Sequence, residues 1–172
     1  MNARFPVFRV LPKPVLAGVV VVVTLVGAFI VYGQREIIPF QTIEWGASSQ
    51  GGYSQAANFV INNQSTWAEV WTRAFCSNLS PPEYCPSLPN VNFTSSTVIA
   101  AFYGTSGCFG CQLINVTEVS RIGSNMFVHI QRTLADPGCS TLQAQTFPFH
   151  IVVISTKITK AIFDVRTVIY RC

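Results

Sequence analysis

The feature that most constrains this chain is Pro14–Gly33, PVLAGVVVVVTLVGAFIVYG, 20 residues without a charged side chain. Arg4, Arg9 and Lys13 precede it, and Arg35 and Glu36 follow. A helix of that length spans about 30 Å, the thickness of a hydrocarbon core. In lipid a lone segment satisfies its backbone only as a helix, so the Val19–Val23 run, strand-forming in water, reads here as a transmembrane helix. The positive, acid-free residues 1–13 form a cytoplasmic tail and place residues 34–172 outside the membrane. A cleaved signal peptide is the alternative, but its apolar core is shorter and its cleavage site stronger than Val31-Tyr32-Gly33. The organisation expected is tail 1–13, transmembrane helix 14–33, linker 34–39 and extracytoplasmic domain 40–172.

The formal charge of +4 divides unevenly. Residues 1–13 hold +3 of it, while residues 34–172 carry eight Lys/Arg against seven Asp/Glu. The basicity is a topology signal and gives no support for nucleic-acid binding. A charged fraction of 10% is low for a domain surface, which implies a surface covered by neutral polar side chains, by glycan or by a partner. Asn63, Asn78, Asn92 and Asn115 each begin an N-x-S/T sequon and are candidate glycosylation sites. Six cysteines, Cys76, Cys85, Cys108, Cys111, Cys139 and Cys172, are disulfide candidates in an oxidising compartment. Cys76 with Cys85 is the natural local pair across a Pro-rich loop. Cys108 or Cys111 with Cys139 would join two loops, leaving Cys172 to pair with the remaining one or stay free.

The exported part has room for one domain with a real core. A first strand follows the linker, then a Ser48–Gly52 turn and a strand over Tyr53–Asn62. Thr66 with Glu69 forms a capping box opening a helix to Phe75, whose Trp67, Val70, Trp71, Ala74 and Phe75 make one apolar stripe for docking on a sheet. A loop with Pro81, Pro82, Pro86 and Pro89 follows. Thr97–Tyr103 is a continuous apolar run, as in a central strand covered on both faces. After a Gly104–Gly110 turn come strands over Cys111–Val119, Asn125–Thr133, Phe147–Ser155 and Ala161–Tyr170. The fold class is α+β, dominated by antiparallel β-sheet with one packed helix, preceded by the transmembrane helix.

Catalytic chemistry is sparse. His129 and His150 sit inside strand patterns, as structural histidines do. No nucleophile elbow and no Gly-rich phosphate loop occur. Cys108-Phe109-Gly110-Cys111 has redox spacing, but a strand follows it where a redox pair wants a helix N-terminus. A zinc site would need a second pair. No enzyme, cofactor or metal is expected.

Residues 40–168 resemble the C-terminal domain of PrcB-type proteins. The resemblance rests on Asn62–Trp71 with its Trp-x3-Trp helix, on Asn92-Phe93 leading into Val98–Gly104, and on Phe147-Pro148-Phe149-His150 with the apolar run after it. Phe109-Gly110-Cys111 replaces the family's Gly-Gly-Tyr, and a transmembrane helix replaces its lipobox cysteine. The resemblance implies an exported protein that associates with and stabilises a surface protease.

The reading that results is a single-pass, membrane-anchored, extracytoplasmic interaction domain for an exported or surface protein, such as a protease. Tyr103 and Phe109, on the turn between two strands, are the candidate partner-binding residues. Alternatives are an exported thiol–disulfide oxidoreductase using Cys108 and Cys111, or a pilin-like cell-surface subunit. The last is disfavoured because Pro39 and a strand pattern interrupt any continuation of the helix.

Overall fold

A computed structural model describes residues 35–48, 52–77, 85–139 and 142–171. They form nine strands and one helix: β1 (Arg35–Ile37), β2 (Phe40–Ser48), β3 (Ala57–Ile61), α1 (Gln64–Phe75), β4 (Thr97–Phe102), β5 (Ser106–Phe109), β6 (Gln112–Ile122), β7 (Asn125–Ala135), β8 (Leu142–Ile154) and β9 (Ile162–Tyr170). One sheet has the order β1-β6-β7-β9; the other has β2-β8-β4-β3, with β5 pairing the start of β8. The protein is α+β, with mostly antiparallel sheets and a single helix among the described residues. Among those residues no helix is long and apolar enough to cross a membrane. Pro14–Gly33 lies outside them.

Strand β4 explains the layering. All six of its residues are buried, because successive side chains point to opposite faces and both faces are covered. Ile99 and Ala101 join Val116, Val128, Ile130 and Val152 in the core between the sheets. Val98, Ala100 and Phe102 join Trp67, Val70, Trp71 and Ala74 in a second core under α1. The order is therefore sheet, sheet, helix.

Helix α1 starts earlier than the capping box implies. Asn63, not Thr66, is the N-cap: its side chain accepts the Thr66 N–H at 2.8 Å. An Asn at that position reaches the third helical N–H directly, which leaves Glu69 in the second turn and outside any box. The apolar stripe faces the sheet, and both indoles do more than pack. Trp67 donates to Pro89 O at 2.9 Å and Trp71 to Pro86 O at 3.0 Å. These bonds lay the Pro-rich segment along the helix. Asn63→Ala is expected to cost about 1 kcal/mol by removing the cap; chemical denaturation with an unchanged m-value checks it.

Other elements also differ from the sequence pattern: β1 lies within the 34–39 stretch, and β8 begins at Leu142, before Phe147. Only Ala57–Ile61 of the Tyr53–Asn62 segment is strand; Tyr53 precedes it and packs on Phe102, ring centroids 4.3 Å apart. The Gly104–Gly110 turn contains β5. Strand β9 runs parallel to β7, since β8 belongs to the other sheet and the chain returns to β7 by crossing between sheets.

The two sheets are also joined by polar contacts. Strand β1 covers a short part of β6, so backbone groups farther along that edge need partners. The Trp45 indole donates to Ile114 O at 3.1 Å, and His150 Nδ1 accepts the Val116 N–H at 2.9 Å. Trp45 and His150 face each other across the β2–β8 pair. Thr42 Oγ1 lies 3.0 Å from His150 Nε2. With Nδ1 accepting, Nε2 carries the proton and donates it to Thr42.

Candidate functional site

The Tyr103–Cys111 turn is the first place to look, and it is tightly braced. Cys108 is bridged to Cys111, Cα atoms 5.7 Å apart. The bridge is therefore local and does not run from either cysteine to Cys139. Cys139 is disulfide-bonded as well, and Cys172 lies outside the described residues. Cys76 is bridged to Cys85. Gly104 adopts φ +103°, and a Cβ there would lie 3.0 Å from Ala56 N, so the turn needs glycine. Thr146 Oγ1 and Ser106 Oγ both donate to Cys108 O, at 3.3 and 2.9 Å.

Tyr103 does not project from this turn. It packs against the inter-sheet core, with the Arg132 guanidinium 5.1 Å above its ring. The side chain of Phe109 lies outside the described residues. The cysteine pair has no helix N-terminus beside it, since Cys108 lies in β5 and β6 starts directly after Cys111. Cys111 is buried, 6% exposed. The dipole that lowers a redox thiol's pKa is absent from this position.

Three sequons fall on described residues. Asn63 is exposed while its oxygen caps α1. Asn92 is exposed, and its oxygen accepts the N–H and the hydroxyl of Thr94, at 3.0 and 2.6 Å. Asn115 is half-buried on the outward side of β6, between the buried Ile114 and Val116. Asn78 lies outside the described residues.

Two clefts remain. The larger, about 740 Å³, lies at one end of the sandwich and includes Arg121, Lys157 and Lys160. Two of these cations are committed. Lys157 donates to Asn62 O at 3.1 Å and Phe93 O at 2.8 Å, and Arg121 pairs with Glu36 at 3.3 Å.

The smaller cleft, about 420 Å³, runs between β2 and α1 and includes Glu44, Gly46, Trp71, Phe75, Pro86 and Phe149. Its wall is a chain of rings: Trp71 to Phe75 at 4.3 Å and Phe75 to Phe149 at 4.9 Å. Gly46 sits opposite Phe149 in the β2–β8 pair and puts no side chain over that ring. The Trp71–Pro86 hydrogen bond and the Cys76–Cys85 bridge fix the far side. Sequence reasoning missed this groove, because its residues come from β2, α1, the Pro-rich loop and β8.

Among the described residues no group of three or more His, Cys, Asp or Glu is placed to hold a metal ion. No family model matches the chain, and no curated protein and no solved structure matches it. The functional reading therefore rests on the geometry.

Proposed function

We propose that this chain is a membrane-anchored, extracytoplasmic interaction domain, held by residues 14–33, whose groove between β2 and α1 docks an extended apolar segment of an exported protein. The groove is the observation that supports the reading. Strand β2 is the edge of its sheet; its bulge lies between Thr42 and Glu44, so the regular stretch after the bulge is the part a segment lying alongside would pair. Half-buried Phe75 lies at the groove, with Trp71 and Phe149 almost wholly buried behind it, so the groove floor is already fixed by packing, which lowers the ordering cost of binding. Glu44 is the charged side chain of the groove, so the segment that fits best carries one Lys or Arg there. The resemblance to PrcB-type proteins makes a surface protease one partner of this kind.

The experiment is photo-cross-linking in native membranes, with a photoreactive residue replacing exposed Pro86 at the groove or exposed Thr105 on the cysteine turn. Adducts from Pro86 are expected to map to an extended, apolar, singly basic segment of an exported protein, and Glu44→Lys should lower their yield several-fold. Adducts confined to Thr105 would move the site to the turn that carries Phe109. Adducts at neither position would overturn the reading.

A further inference from the structure

The open edge of β9 carries an inference independent of the groove. Among the described residues it is the last strand of its sheet, nine residues long with no register shift against β7. Sheets blunt such edges with short strands, bulges, proline or lysine, because unpaired backbone groups template association. The other edges follow that rule. Strand β1 has three residues, β3 has five, and β2 is bulged between Thr42 and Glu44. Strand β9 is long, unbulged and free of proline; its charged residues are the opposite-sign Asp164 and Arg166, and it exposes Ile162, Val165, Val168 and Ile169.

The backbone direction fixes which residues are available. Tyr170 O accepts the Asp136 N–H at 2.9 Å, so the even-numbered residues of β9 turn their backbone groups to β7. The odd-numbered ones, Phe163, Val165, Thr167 and Ile169, turn theirs to the open edge. A second β9 running antiparallel must therefore pair odd residues with odd, which leaves few registers. Placing Asp164 opposite Asp164, or Arg166 opposite Arg166, sets like charges face to face. The register between those two centres Val165 on Val165, with Asp164 facing Arg166 twice, Phe163 facing Thr167 and Ile162 facing Val168. Its ion pairs occupy non-hydrogen-bonded positions, where side chains approach most closely.

We infer that β9 is a homodimer interface, two copies pairing antiparallel about a two-fold axis at Val165 to make one continuous eight-stranded sheet. The interface is isologous, so one surface serves both copies. Within one copy the Asp164 carboxylate is held by His129 of β7 and by its own Arg166, which approach Oδ2 at 3.0 and 3.3 Å; in the dimer the second Arg166 would join this cluster from the open edge.

The test uses the full chain in lipid nanodiscs with a short bismaleimide cross-linker. Val165→Cys should give a covalent dimer. Thr167→Cys should not, because the two Thr167 positions lie about 13 Å apart along the paired strands at ~3.3 Å per residue. In the Val165→Cys background, Asp164→Arg or Arg166→Asp turns attraction into repulsion at both symmetric pairs and should weaken dimerisation roughly tenfold. The double exchange should restore it. Equal cross-linking at positions 165 and 167, no cross-linking at 165, or a double exchange that fails to restore the dimer would each overturn the inference.

Discussion

Trp67→Ala is expected to destabilise the domain by about 3–5 kcal/mol, enough to threaten folding in a protein whose total stability is of order 5–15 kcal/mol. Trp67 is fully buried at 0% exposure. Its ring packs edge-on against Trp71 at a centroid distance of 5.2 Å, inside the core that joins α1 to β4 and β8. Truncation leaves a cavity in this close-packed core, and it removes the donor to Pro89 O. Trp67→Phe keeps most of the packing and loses the hydrogen bond, for about 1–2 kcal/mol. Thermal unfolding separates the two variants, with a fall of roughly 10–20 °C for alanine. A fall of only a few degrees would show that α1 is not the second face of β4.

The second large effect belongs to His150. The buried ring ties β8 to β2 and β6 through Thr42 Oγ1 and the Val116 N–H. His150→Ala orphans a buried backbone donor and opens a cavity, together about 3 kcal/mol. Burial also pushes the His150 pKa below its ordinary 6.5. Below about pH 6.5 the unfolded chain takes up a proton that the folded ring refuses. This contribution is fully present above pH 6.5 and is lost progressively as pH falls toward the folded pKa. Wild-type melting temperature should fall with acid over that window, and His150→Leu should flatten this part of the slope. An unchanged slope in the variant would mean that other groups set the acid response.

Part of this molecule is legible in the sequence and part is not, for physical reasons. The TVIAAF run announces a strand covered on both faces, because only such a strand needs no polar side. The Trp67–Ala74 stripe announces a docked helix. Both signals are local. The parallel placement of β9 is not local, since its Phe163-Val165-Thr167-Ile169 alternation is the same whichever way the neighbouring strand runs. The Cys108–Cys111 bridge is local in the structure, but spacing alone leaves Cys139 as good a partner, so the sequence does not choose it. Asn63 takes the cap from Thr66 because both are good caps and one turn separates them. The groove is the least visible feature, being assembled from residues that share no pattern. Loop position and aromatic content drew attention to the cysteine turn, where Tyr103 packs against the core between the sheets.

The central claim, a domain that works outside the cytoplasm, is tested most directly by trapping thiols in living cells with N-ethylmaleimide before lysis, then mapping peptides without reduction. The account predicts linked Cys76–Cys85 and Cys108–Cys111 peptides, Cys139 in a further bridge, and none of these five cysteines alkylated. Alkylated Cys76, Cys85, Cys108 and Cys111 in the native chain would place the domain in a reducing compartment and contradict it.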